Sequence, residues 1–338
     1  MPLPDVLHGA RWAVQSRLAA ARRRRAGPTG SPRIMVVGIC QGGAIAEAMR
    51  LLVPGSEVTF VSAFAAARRY PRLADLAAEG RRHDVVFSNT WLPRFRDGGD
   101  LAGLRAETNL VTIPTIVFSA FHPDLVMVGE PGEPGRDGLI VGPLGHAHSA
   151  LALFGYLEGL APARTEALFD AAVYRHLGYF DFWNDSVATL LALGREVGYD
   201  LDADLVRWSR RGCFMHANNH PKVHVAADLA RGLLERAGIA YGACDLDSYL
   251  ADDLIRAGTF PVYPAIAEHY GVQGSALFLK SETRRTGPAR TMALPEFIAR
   301  SYAAYARHLR DVLVCPRVSA WRTDPATRAF LRAHAGAP

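Results

Sequence analysis

The sequence predicts an α/β fold, a mainly parallel sheet flanked by helices and carrying a helical insertion. Short apolar runs rich in β-branched residues recur at 34–37, 57–61, 84–87 and 110–118, the signature of strands buried on both faces. Segments with apolar residues three and four apart alternate with them, at 44–52 and 71–80. Such alternation marks a parallel sheet with helical crossovers. Between about 145 and 211 helical spacing takes over, with Gly178, Gly198 and Gly212 near predicted helix ends.

Taken in order, residues 1–32 read as a basic leader. A weakly amphipathic stretch over 6–21 runs into Arg22-Arg23-Arg24-Arg25 and a Gly/Pro/Ser linker. A charge run of this kind usually faces water, with peripheral contact to the inner face of a membrane as the alternative. The strand at 34–37 enters the turn Gly38-Ile39-Cys40-Gln41-Gly42-Gly43, and a helix follows to Leu52. The third strand ends in Ser88-Asn89-Thr90-Trp91, and the 110–118 run leads into Ser119-Ala120-Phe121-His122-Pro123-Asp124. A Pro/Gly loop spans 130–138. After the insertion come Cys213-Phe214-Met215, then Asn218-Asn219-His220-Pro221 and a helix to about Arg236. Pro221 suits a first helical position, which puts His220 at the N-cap. A late strand is expected at 276–280 and a closing helix at 294–309, with a weakly patterned tail over 316–338. The chain therefore divides into the leader, an α/β domain over 33–315 and the tail.

Composition narrows the function. The 338 residues are 49% hydrophobic and 21% charged, with a formal charge of +5. This modest basic balance suits acidic small molecules and comes with no nucleic-acid motif. Four widely spaced cysteines without a C-x-x-C pair point to a reduced, cytoplasmic protein. No apolar run reaches the ~20 residues that span a bilayer, and the arginine run stands on the wrong side of the apolar segment for a signal peptide.

Ligands of parallel sheets bind at the carboxyl ends of the strands, so Cys40, Asn89 and the 119–124 segment point to one rim. Cys40 also stands beside the first amides of a helix, which attract anions and would favour a thiolate or an oxyanion there. A small buried cysteine packed under the turn is the alternative. The turn lacks G-x-G-x-x-G and G-K-[ST], so it is neither a dinucleotide fingerprint nor a phosphate loop. His216, His220 and His224 are four apart, but Asn219 and Pro221 interrupt any single helix through them. No carboxylate or cysteine completes a zinc spacing, and no metal is expected.

The strand-end Gly38-Ile39-Cys40-Gln41, the Phe121-His122-Pro123-Asp124 segment and the Asn218-Asn219-His220-Pro221 segment together resemble the WcbI-type polysaccharide biosynthesis acetyltransferase family, over about residues 33–282. The family pattern at the first turn is G-N-C-Q, and Ile39 stands here in place of the asparagine. The resemblance implies an enzyme of capsule or exopolysaccharide assembly that binds coenzyme A and transfers acetyl from acetyl-CoA to a sugar hydroxyl. The candidate catalytic residues are then Cys40 as nucleophile or pocket wall, His122 or His220 as base, and Asp124 as the group that orients His122. Gln41, Gly42, Gly43 and Asn89 are candidates for contacts to the cofactor or oxyanion. Lys222, Lys280, Arg284 and Arg285 are candidates for its phosphates. Competing readings are an esterase or deacetylase with a layout like that of SGNH hydrolases, and a non-catalytic coenzyme A or glycan-binding module.

Overall fold

The computed structural model describes residues 31–130, 138–281 and 289–336. The basic leader and the candidates Arg284 and Arg285 lie outside these residues, apart from Ser31 and Pro32. Four strands, β1 (Arg33–Gly38), β2 (Glu57–Ser62), β3 (Val85–Asn89) and β4 (Leu110–Ile113), form a parallel sheet in the order β2-β1-β3-β4. β1 is central because every residue from Ile34 to Val37 is apolar and fully buried. Its period-two alternation splits the molecule into two cores. Ile34 and Val36 join Val85, Phe87 and Ile113 in the larger one, beneath the helices Gly42–Leu52 and Val223–Arg236. Met35 and Val37 join Val61, Val86, Leu76 and Leu104 on the other face, under the helices Leu73–Gly80 and Leu101–Glu107.

The expected parallel α/β sheet is therefore present, and its details differ in places with clear physical causes. The third strand extends through Ser88 and Asn89 because both pair with β4. The 115–118 run joins no ladder among the described residues. Pro114 has no N–H to contribute, the Ile116 carbonyl accepts from the Gln41 side chain, and the Phe118 N–H donates to the Asn218 carbonyl at 2.7 Å. The insertion is helical, with Ala150–Leu157, Pro162–Glu166, Ala171–His176, Phe182–Glu196 and Asp202–Ser209. His220 is not an N-cap. His220–Pro221 is a short strand paired with Met215–Ala217, and the Lys222 N–H donates to the Phe214 carbonyl, so the helix begins at Val223 with Lys222 as its N-cap. The tail holds two helices, Pro316–Thr323 and Pro325–His334. They are clamped to the insertion by Glu158, whose buried carboxylate takes Arg322, Arg328 and Arg332. Among the described residues no helix is long and apolar enough to cross a membrane.

Candidate active site

The strand order places a topological reversal between β1 and β3. From β1 the chain leaves to β2 on one side, whereas β4 follows β3 on the other. A crevice opens at the carboxyl ends of such a strand pair, and here those ends carry Cys40 and Asn89. The turn between β1 and its helix is tight. A Cβ on Gly38 would stand 2.6 Å from the Gly42 Cα, and one on Gly42 would stand 3.1 Å from the Phe60 ring. These glycines let strand and helix touch each other.

Two amides hold the turn in place. The Ile39 N–H donates to Asn89 Oδ1 at 3.1 Å, bridging the β1–β3 crevice with a backbone group. This bond fixes the Asn89 amide, because only the oxygen can accept, and leaves Nδ2 buried without a partner. Gln41 Nε2 donates to the Ile116 carbonyl at 3.2 Å and to the Asn219 carbonyl at 3.3 Å, which likewise leaves Oε1 buried and unpartnered. One side chain therefore joins the β1 turn to the chain after β4 and to the 218–221 segment, far apart in sequence. Although Gln41 is the N-cap of Gly42–Leu52, its side chain does not cap the helix. Cys40 is half-buried with a free thiol.

The histidines fare differently. His122 lies in a turn closed by its own N–H to the Ser119 carbonyl and by the Leu125 N–H to its carbonyl. Its ring is packed beneath Phe260 and is 2% exposed. Burial pushes its pKa down to about 4 against the pull of the Pro261 and Met215 carbonyls. Neither ring nitrogen has a hydrogen bond of good geometry or contact with solvent. His220 is half-buried beside Asn219, on the hairpin that Gln41 holds. Asp124 is fully buried, and its carboxylate is spent on the fold. Oδ1 accepts from the Leu151 N–H at 3.0 Å and the Tyr179 hydroxyl at 2.9 Å, Oδ2 from the Tyr263 hydroxyl at 2.8 Å, and Ser149 adds a fourth donor. Burial outweighs these donors and raises its pKa. Among the described residues its partners do not include His122, so the geometry gives Asp124 no part in orienting that ring.

Of the basic candidates, Lys222 is half-buried at the end of the hairpin. Lys280 sits on a separate antiparallel pair, Leu277–Ser281 with Ala289–Ala293, its ammonium beside Gly145. Burial lowers the Lys280 pKa. The sequence reading missed a pair between the 215–221 hairpin and a distant loop: His216 Nε2 meets Asp252 Oδ2 at 2.8 Å, and the same oxygen accepts the Val223 N–H at 3.1 Å. Burial would raise the Asp252 pKa, but these hydrogen bonds overcome it and the net shift is downward. The reading also missed Phe64 and Trp91. They follow the ends of β2 and β3, the strands on either side of β1, are 49% and 39% exposed, and meet at 5.4 Å between ring centroids as an open aromatic surface. Among the described residues no group of three or more His, Cys, Asp or Glu side chains could hold a metal.

The sequence matches the family described as polysaccharide biosynthesis enzyme WcbI over residues 33–241. The chain belongs to this family. The match covers the whole parallel sheet, the insertion and the hairpin. A search of curated proteins finds no match. A solved structure of WcbI, described as a novel polysaccharide biosynthesis enzyme and as the native protein without a disulfide bond between coenzyme A and one of its cysteines, superposes with a TM-score of 0.61. The two share 15% sequence identity over 90% of this chain and 99% of that one, a similarity of fold. As a WcbI-family polysaccharide biosynthesis enzyme, the chain carries the G-x-C-Q turn at the switch point of its sheet.

Proposed function

We propose that this protein transfers an acetyl group from acetyl-CoA to a sugar hydroxyl in the assembly of a capsular or extracellular polysaccharide. The observation that carries the reading is the Cys40 turn: a half-buried thiol at the uncapped mouth of the Gly42–Leu52 helix, on a turn that Asn89 holds through the Ile39 N–H. Acyl transfer develops negative charge on the thioester oxygen and is accelerated by donors already aimed at it. The uncapped first-turn amides of the Gly42–Leu52 helix, at Gly43 and Ala44, would supply them. The residues also fit the rest of the substrate. Lys222 and Lys280 offer charge to the phosphates. The WcbI structure, described as the native protein without a disulfide bond between coenzyme A and a cysteine, concerns the same two groups and supports the same assignment. In this scheme Cys40 attacks the thioester and the sugar hydroxyl then takes the acyl group from Cys40. The Phe64–Trp91 surface gives a pyranose ring an aromatic face to stack on.

Calorimetry with coenzyme A and acetyl-CoA, followed by intact-mass measurement of the protein mixed with acetyl-CoA, tests the reading. Binding together with one added acetyl group, absent in Cys40→Ala, is the expected result. A protein that binds neither compound would overturn it.

A further inference from the structure

We propose that His216 and Asp252 form the acid–base pair of this site, with His216 as the catalytic base and Asp252 as its positioning residue. The inference rests on the acyl-transfer reading above and assigns the proton, which that reading leaves without a carrier. His122 is a poor carrier on geometry alone, since both its nitrogens are sealed from solvent beneath Phe260. His216 is also buried, at 5% exposed, but its ring is paired with a carboxylate. An ionised carboxylate can only accept, so the 2.8 Å contact to Asp252 requires the proton on Nε2 and leaves the lone pair on Nδ1. Unlike His122, His216 has no ring nitrogen that is both shut off from solvent and unpartnered.

The pair is also tethered to the Cys40 turn. Asp252 is held by the Val223 N–H at the mouth of the Val223–Arg236 helix, and the His216 carbonyl takes the Phe260 N–H at 2.8 Å. Two and three residues along the same hairpin, the Asn218 and Asn219 carbonyls accept from the Phe118 N–H and from Gln41. The hairpin that carries His216 is thus bolted to the residue following Cys40. In the first half-reaction Nδ1 takes the Cys40 proton as the Cys40 S–C bond forms and the S–C bond of acetyl-CoA breaks. The same proton then passes to the departing coenzyme A sulfur. In the second half-reaction Nδ1 takes the sugar hydroxyl proton while the ester O–C bond forms, and returns it to the Cys40 sulfur as the thioester opens.

Acetylation of the protein by acetyl-CoA, followed by rapid-mixing intact mass, tests the pair without a sugar acceptor. His216→Gln should acetylate at least about 100-fold more slowly, the usual contribution of a positioned base, with coenzyme A affinity by calorimetry within about twofold of the parent. Asp252→Asn, nearly isosteric, should slow the step by an intermediate factor, and Asp252→Glu should recover part of it. Exogenous imidazole should restore part of the rate of His216→Ala, which a merely structural defect would not allow. Parent-like acetylation by both His216→Gln and Asp252→Asn would overturn the proposal. Failure of the parent to bind coenzyme A would instead overturn the reading on which it rests.

Discussion

Replacing Asp124 separates a residue of the fold from a residue of the chemistry. Its carboxylate serves four donors: the Leu151 N–H, the Tyr179 and Tyr263 hydroxyls, and Ser149. Tyr179 and Tyr263 are themselves buried and flank Tyr174, which stacks on each at 5.6 Å between ring centroids. Asp124→Ala leaves these donors in a closed interior with no acceptor. An unsatisfied buried donor costs about 1–3 kcal/mol, and some of the four will find new partners when the site relaxes. A loss of about 3–6 kcal/mol is the expected sum, against a total stability of about 5–15 kcal/mol for an ordinary domain. Tyr179→Phe and Tyr263→Phe each remove one hydrogen bond to the carboxyl and should cost about 1.5–3 kcal/mol.

Urea denaturation followed by fluorescence measures these losses, with the midpoint as readout and the slope as the check that the unfolded state is unchanged. The two tyrosine changes should also couple to Asp124→Ala in a double-mutant cycle, because they share its oxygens. A variant at Asp124 that unfolds within about 1 kcal/mol of the parent yet fails to acetylate would refute this reasoning. That pattern would return Asp124 to the reaction as the residue that orients His122.

Gly38→Ala should be poorly tolerated, since its new Cβ would press on the Gly42 Cα at 2.6 Å. Overpacking of this kind costs about 1–3 kcal/mol, and because the strain falls on the Cys40 turn, a lowered melting temperature should come with slower acetylation. Glu158 gives the pH dependence. Burial would raise its pKa, but Arg322, Arg328 and Arg332 pull it below the ordinary carboxylate value. A carboxyl with a depressed folded pKa contributes stability that is present above its unfolded pKa of about 4.3 and is lost as pH falls through its folded pKa. Glu158→Gln should therefore narrow its gap in melting temperature from the parent as pH drops below about 4. A gap constant from pH 7 to pH 3 would count against the clamp.

Much of the fold was legible because burial on both faces leaves a plain mark. The run Ile34–Val37 has no polar residue to spoil it, and the glycines around Cys40 signal the close approach of strand and helix. The tail was harder to read. Its two helices bury little, with Val318 and Leu331 as their buried apolar residues. Their local signals were there all the same: Pro316 and Pro325 at first helical positions, and Asp324 capping the Thr327 N–H at 3.0 Å. The 115–118 run misled for the opposite reason. Its β-branched composition suits a strand, but Gln41 and Asn218 claim its backbone groups, and no local pattern reveals a partner 75 residues away.

The site shows the same division. Sequence alone pointed to the rim that carries Cys40 and Asn89, because strand ends in a parallel sheet can be placed from the strands themselves. It could not tell which histidine is paired with a carboxylate, since that depends on chain far downstream. Phe260 and Pro261 close over His122, while Asp252 meets His216 across 36 residues. Gln41 links the two levels. It stands at the N-cap of the helix that follows, without capping it. In the structure it spends its side chain on two distant carbonyls, which binds the hairpin to the turn and leaves the helix mouth uncapped beside the thiol. A capping residue there would satisfy those amides, which under the proposed acyl transfer stay open to the oxyanion.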